Sequence, residues 1–455
     1  MATISLDQAA PNASQAARHS AAARLDRLPI GSFHKKVMWL LAYVFFFELG
    51  DLNNFGFAAP ELRVQWKLSI GTVGLVTSAA FIGMFVGAVA GGWFSDKVGR
   101  KKALLLTTVW YSTFSLLNAF AWNVPGLFVT RCLTGVGLAA MTVAAITYIS
   151  EMFPASKRGT YQAWIMTIGL LGIPASAFVA GEITPMAAYG WRLVFIWGAL
   201  GILILLFSHK LEESPRWYEN QGQLAKADAV LDRIEAHTKA SSGSLPALLA
   251  EPVSPPRHGK FTDLFAPASL RRTSMLIGVY IFQTIGLFGF MAWVPTLLAA
   301  RGFPVVKSLL WVSIMYVGAP IGALIAVLVS DKWERKYLIT IAAVVIAWFG
   351  IMYGLSSKMV PIIILGFCVS MFIQSFAPLL YAYTPECFPT QIRSSGSGIA
   401  YGAGRLANVF GPLIIAFLFT HYGYKSVFIY IAATWLLVAA IVSLFGPKTK
   451  GQALT

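Results

Sequence analysis

Charge is scarce in this chain. Asp, Glu, Lys and Arg make up 12% of its 455 residues, about half the share of a soluble domain, so a water-soluble globular fold is excluded. Cysteine is scarcer still: Cys132, Cys368 and Cys387 are the only three. All fall in or beside apolar segments, and their spacing fits neither a metal site nor an extracellular disulfide framework. No phosphate-binding loop, metal-ligand cluster or nucleophile elbow appears. The sequence therefore carries no enzyme signature and implies no cofactor and no metal. Residues 1–23 lack the apolar stretch of a cleavable signal peptide, so the first apolar segment is expected to act as an uncleaved signal.

What is abundant is apolar. Hydrophobic residues make up 57%, aromatics 14%, and there are 40 glycines; the mean hydropathy is +0.68. Twelve apolar segments approach the roughly 20 residues that cross a bilayer as a helix: 37–59, 71–94, 103–121, 126–149, 160–182 and 191–208, then 274–297, 307–329, 337–355, 359–383, 396–419 and 425–445. The expected fold is an all-α membrane protein with twelve transmembrane helices in two pseudo-symmetric six-helix bundles. The bundles would occupy 37–208 and 274–446, with tails at 1–36 and 447–455 and a polar central loop at 209–273.

A net charge of +16 would suit a nucleic-acid partner, but its placement argues against one. Basic residues cluster in the tails, in the central loop and in alternate connections, as at Lys97, Arg100, Lys101 and Lys102, or Lys332, Arg335 and Lys336. Under the positive-inside rule this puts both termini and the central loop in the cytoplasm, as in a multi-pass protein of the cell inner (plasma) membrane. Expected partners are membrane lipids, protons and a small-molecule substrate, with the chain acting as a monomer.

Three phrases recur about 235 residues apart. Ser95-Asp96-Lys97…Arg100-Lys101 returns as Ser330-Asp331-Lys332…Arg335-Lys336. Glu151-Met152-Phe153-Pro154…Arg158 returns as Glu386-Cys387-Phe388-Pro389…Arg393. Tyr189-Gly190-Trp191-Arg192 returns as Tyr422-Gly423-Tyr424-Lys425. A duplicated membrane chain points to a transporter built of two halves.

Smaller features accompany this plan. Residues 24–36 read as a basic lead-in resting at the lipid headgroups. Leu224–Lys239 has helical apolar spacing and reads as a surface helix, and Ser241–Lys260 as a flexible linker. Gly83, Gly87 and Gly91, and likewise Gly398 and Gly402, put small residues on one helix face, where backbones can approach closely.

The run Gly91-Gly92-Trp93-Phe94-Ser95-Asp96-Lys97-Val98-Gly99-Arg100-Lys101 resembles the signature of the major facilitator superfamily. With Glu151/Arg158 and Glu386/Arg393 the resemblance covers nearly the whole chain. It implies that Asp96, Arg100, Glu151 and Arg158 converge at the inner mouth of the first half, and Asp331, Arg335, Glu386 and Arg393 at that of the second. Such pairs could latch the inner gate and would separate when the cavity faces inward, or could simply anchor loops.

Leu211-Glu212-Glu213-Ser214-Pro215-Arg216-Trp217 resembles the sugar-porter and organic-ion branches, although Lys448 stands where those families usually carry Glu. Tyr383-Thr384-Pro385-Glu386-Cys387-Phe388-Pro389-Thr390, continuing through Gly404-Arg405 to Gly411-Pro412, resembles organic-ion, synaptic-vesicle-glycoprotein-like and bacterial metabolite–proton carriers. Against the sugar-porter pattern, Gln283 is kept, Phe288 replaces Asn, Ala292-Trp293 replaces a Tyr pair, Met166 replaces Gln and Tyr381 replaces Trp. The resemblance thus implies a cavity more aromatic and less suited to hydroxyls, fitting a planar or partly apolar metabolite. Alternatively, Phe288 and Trp293 face lipid or neighbouring helices.

Ionisable groups inside apolar segments are costly and rarely face lipid. Glu48 and Asp51 lie three residues apart and share a helical face. Asp51 matches the proton-binding Asp of sugar–proton symporters, and Arg131 the Arg that partners it. An Asp that approaches and leaves an Arg would bind and release a proton; a static ion pair is the alternative. Glu48 is the second proton-site candidate. Arg405 is read as the anchor of a substrate anion, because a guanidinium fork suits a carboxylate, with Asn408 as helper. The expected function is a proton-coupled symporter importing a small organic acid, aromatic or nicotinate-like. The alternatives are a sugar or polyol symporter, an organic-cation or drug exporter, and a non-transporting receptor on a transporter scaffold.

Overall fold

The computed structural model describes residues 19–242, 244–248, 261–329, 333–389 and 392–449. Among them all regular structure is helical. Span 1 is Ser32–Gln65, span 2 Ile70–Val98, span 3 Arg100–Ala119 and span 4 Val124–Met152. Span 5 runs Ala155–Leu170 and Gly172–Ile183, and span 6 runs Gly190–Ala199 into tighter 3₁₀ turns at Leu200–Lys210. Span 7 is Pro267–Met291 with Val294–Ala300, and span 8 is Val305–Tyr316 with Gly318–Val329. Spans 9 to 12 are Arg335–Leu355, Met359–Glu386, Arg393–Tyr422 and Tyr424–Phe445. Spans 5, 7 and 8 break just before Pro174, Pro295 and Pro320, where a missing N–H and a crowded pyrrolidine ring interrupt the helical ladder.

Local chemistry sets the ends. Ser69 caps span 2 by accepting from the Thr72 amide at 3.0 Å, and Asn123 caps span 4 through the Gly126 amide at 2.8 Å. Gly99 and Gly423 turn the chain between spans 2 and 3 and between spans 11 and 12 with φ of 101° and 79°, a region that favours glycine.

The two halves repeat one packing plan. Span 2 lies on span 4 as span 8 lies on span 10. Span 3 touches spans 4 and 6 as span 9 touches spans 10 and 12. Span 1 touches spans 5 and 6 as span 7 touches spans 11 and 12. The halves meet through spans 2 and 11, spans 5 and 8, and spans 1 and 7.

Among the described residues, ten of the twelve spans are long and apolar enough to cross a membrane by length and composition. Spans 1 and 3 carry more polar residues, and much of each is buried against other helices. Leu406, Phe410, Leu413 and Phe417 form an exposed apolar stripe along span 11, the surface a helix presents to lipid.

Gly83, Gly87 and Gly91 press span 2 onto the backbone of span 4 at Cys132, Val136 and Ala140, as expected. Gly398 and Gly402 do not pack: a Cβ added to either meets nothing within 4 Å. At the end remote from the termini, Gly74 abuts Pro412, Gly181 abuts Leu310 and Gly56 abuts Ala292, closing the halves together there. The open space beside Gly398 and Gly402 lies toward the opposite, basic end.

Helices Ala21–Asp26, Pro215–Asn220 and Leu224–Ser242 form a cap under the first half. Leu25, Leu28, Val230, Leu231 and Ile234 share a buried core with spans 1, 3 and 4, so the surface helix expected from Leu224 is present. The headgroup role expected for residues 24–36 does not extend to Arg24 and Arg27, while Lys35 and Lys36 are exposed at the start of span 1. Arg24 pairs with Glu235 at 2.9 Å, Asp232 at 2.6 Å and Asp228 at 3.2 Å, and Arg27 pairs with Glu235 at 2.8 Å. These guanidinium groups are committed to protein carboxylates. Burial works against ionisation of Glu235, yet bonds from Arg24 and Arg27 outweigh it and hold the carboxyl below its usual range. The linker expected at 241–260 begins after the helix ends at Ser242; residues 243 and 249–260 lie outside the described residues.

Candidate functional site

Asp51 is fully buried. Its Oδ1 accepts from Ser115 Oγ of span 3 at 2.5 Å and from Asn54 Nδ2 at 3.0 Å. Asn54 also donates to the Val194 carbonyl of span 6 at 3.1 Å. Gly198 of span 6 leaves the room that this cluster occupies, since a side chain there would collide with Asp51 and Asn54. Arg131 is buried beside Asp51, its guanidinium 5.7 Å from the centre of the Phe55 ring. The two charges lie within electrostatic reach, but no direct ion pair joins them and Arg131 Nε and Nη1 have no hydrogen-bond partner. The static ion pair is therefore not the arrangement in this state.

Glu48 leaves span 1 in another direction. Its Oε1 accepts from Thr142 Oγ1 of span 4 at 3.0 Å, and the charge of Arg405 on span 11 lies within reach. Glu48 and Asp51 remain neighbours on span 1, but their hydrogen bonds run to different helices. Three residues fall about 60° short of a full helical turn, enough to aim one acid at spans 3 and 6 and the other at span 4 and the interface between halves.

Arg405 stands among aromatic rings. Its guanidinium lies 5.0 Å from the centre of the Tyr401 ring and donates to the Tyr401 hydroxyl. Nη1 points at Met84 Sδ of span 2, 3.8 Å away in the other half. Tyr280, Tyr381 and Tyr401, from spans 7, 10 and 11, sit with ring centres 6.1–6.3 Å apart. Tyr381 is exposed. Phe288 meets Phe81 of span 2 edge-on at 4.9 Å and packs with Met84 in a small cluster between the halves.

The structure thus brings Arg405, Tyr381, Phe288 and Glu48 together. Gln283 is buried nearby and donates to Thr284 Oγ1 at 2.6 Å, and Thr284 lies against Gly404. Asn408 is buried with Nδ2 unpartnered. Trp293 is not part of this group: it is buried in the apolar core, where span 7 breaks and Ala292 abuts Gly56. Met166 packs against the core of the first half. Tyr280, Tyr401, Thr142, Ser115 and Asn54 were not singled out from sequence. A helical pattern signal existed for Tyr401, four residues before Arg405 on the same face.

At the basic end, Arg100 pairs with Asp96 at 2.7 Å and Glu151 at 2.9 Å, and Ser214 Oγ donates to Glu151 at 2.5 Å. Glu213 accepts from the Lys101 amide at 2.9 Å, at the start of span 3. Arg335 pairs with Glu386. These pairs are intact in this structure. Each joins elements of a single half, so movement between halves leaves them whole. Arg158 lies near Asp26, Arg216 and Glu151, and Arg393 begins span 11. Asp331 lies outside the described residues.

Twelve helices in two repeated six-helix units, with ionisable side chains enclosed between them, define a membrane transporter of the major facilitator superfamily rather than an enzyme. The family model described as "Sugar (and other) transporter" matches residues 38–455, and the chain belongs to that family. It is 43% identical to the putative metabolite transport protein YyaJ of Bacillus subtilis, over 96% of this chain and 97% of that one. It is 30% identical to the niacin transporter NiaP of Acinetobacter baylyi, over 95% and 98%. Its fold matches the E. coli xylose transporter XylE in a partially occluded inward-open conformation, with a TM-score of 0.76 and 20% identity, over 93% of this chain and 100% of that one.

Proposed function

We propose that this transporter is a proton-coupled symporter importing a small organic acid with an aromatic or nicotinate-like ring. One observation carries the reading. Arg405 presents a guanidinium among Tyr280, Tyr381, Tyr401 and Phe288 at the interface of the halves. A carboxylate suits the fork, and a planar ring suits the aromatic walls. The relative named as a niacin transporter agrees with this chemistry. Asp51 and Glu48 are the proton carriers of span 1, and Arg131 tunes Asp51. In this reading the bodies at 37–208 and 274–446 rock about the site. The termini face the cytoplasm of a bacterial cell, and the structure is the inward-facing state of a monomer.

The test is uptake by the purified protein in liposomes with an acidic exterior. Accumulation of nicotinate or benzoate that collapses with a protonophore supports the reading. Accumulation of pentoses instead would favour the sugar symporter, and extrusion of amines the exporter. Binding without uptake would favour the receptor.

A further inference from the structure

The divergence of the two acids on span 1 decides which of them can sense a substrate. Asp51 is enclosed by spans 3 and 6 of its own half. Glu48 is also buried: Oε1 takes the bond from Thr142 of span 4, and Oε2 is buried with no hydrogen-bond partner. Across the interface stands Arg405, within electrostatic reach. The partners in contact with Arg405 are a tyrosine hydroxyl and a thioether sulfur, neither of them an anion. Other ionisable groups facing Glu48 are Asp51 on its own helix and Tyr111 on span 3. Those facing Arg405 are Tyr381 and Tyr401. Glu48 and Arg405 are therefore each other's opposite charge across the substrate site, yet no oxygen of Glu48 lies within 4.0 Å of a guanidinium nitrogen.

We propose that Glu48 balances Arg405 in the empty carrier, and that a substrate carboxylate bound to Arg405 takes over that role while a proton passes to Glu48. The proposal rests on the reading of Arg405 as a carboxylate anchor. Two anions facing one cation in a medium of low dielectric repel each other strongly. The anion that docks on the fork leaves Glu48 uncompensated. A proton from the water on the open side then neutralises it at Oε2. The charge balance is conserved: one anion and one cation before, one bound anion and the same cation after. A carrier that took the anion without the proton would bury a net negative charge, which is costly in a membrane interior. Substrate and proton consequently move together, and the affinities are linked reciprocally.

The experiment uses the full-length protein purified in detergent, in weakly buffered solution with a pH-indicator dye, and nicotinate and benzoate as probes. Wild type is expected to take up about one proton per anion bound, and its affinity to fall about tenfold per pH unit where Glu48 is ionised in the empty state. Glu48→Gln is expected to bind the anion with no proton uptake and no such slope. Retention of both by Glu48→Gln overturns the proposal alone. Folded wild type and variant that bind neither acid overturn the reading of Arg405, and the proposal with it.

A second measurement needs no ligand. Carbodiimides attack protonated carboxyl groups, and labelled Glu48 can be followed by peptide mass spectrometry. Arg405→Gln is expected to extend Glu48 labelling to higher pH, and nicotinate to do the same in wild type. An unchanged labelling profile in Arg405→Gln overturns the pairing, whatever the folding of Glu48→Gln.

Discussion

Replacing Arg405 with Lys keeps the positive charge and removes the fork. In the structure the guanidinium is fixed by the Tyr401 hydroxyl and ring, so its geometry is set before a ligand arrives. A lysine offers a point charge on a flexible stem and cannot bind a carboxylate through two parallel bonds. One hydrogen bond to a charged partner contributes about 1.5–3 kcal/mol. Its loss corresponds to an affinity drop of about tenfold to a hundredfold. Lost stacking on Tyr401 costs about 0.5–1 kcal/mol and is shared by every ligand that needs the same posture. Nicotinamide has the same ring with a neutral amide, whose bonds are roughly half as strong, so its affinity should fall by less than about tenfold. The assay is equilibrium binding of nicotinate and nicotinamide to purified wild type and Arg405→Lys, at a pH where nicotinate is an anion. Equal losses for the two ligands would refute the carboxylate anchor.

Three further outcomes are expected. Asp51→Asn abolishes accumulation driven by a proton gradient while counterflow exchange persists, and undiminished accumulation would remove Asp51 from the coupling. Gly87→Val forces a branched side chain into the span 4 backbone at Val136, costing about 1–3 kcal/mol by overpacking; an unchanged thermal midpoint would contradict the close approach. Arg24→Ala leaves Glu235, Asp232 and Asp228 without their shared cation and loosens the cap by about 1–3 kcal/mol, read as faster amide exchange in Leu224–Ser242. Because Glu235 is held below its usual range, its contribution is present above the ordinary carboxyl value and is lost as pH falls through the lowered one. Wild-type protection should therefore decline below about pH 4, with a smaller acid-side loss in Arg24→Ala.

The architecture was largely legible because its signals need no knowledge of packing. Apolar runs mark spans, clustered basic residues mark one end, and repeated phrases mark duplication. Glu48, Asp51, Arg131 and Arg405 stood out for a related reason, since ionisable groups in apolar runs demand an explanation. Their partners did not stand out. Ser115, Asn54 and Thr142 are ordinary residues whose role comes from where three helices meet. Trp293 was misplaced because spacing in span 7 assumes a continuous helix, and the chain breaks at that point. Arg24 looked like a lipid anchor because its acidic partners lie about 200 residues away in sequence. Gly398 and Gly402 have the spacing of a packing face but border open space in this conformation, which spacing does not encode.

The central claim is that an organic anion and a proton cross together. The direct measurement is simultaneous recording of radiolabelled nicotinate uptake and internal acidification in liposomes that hold the purified protein and a trapped pH dye. Acidification that rises in step with nicotinate entry, and that is absent from protein-free liposomes, is the predicted result. Nicotinate entry with no accompanying acidification would contradict the account.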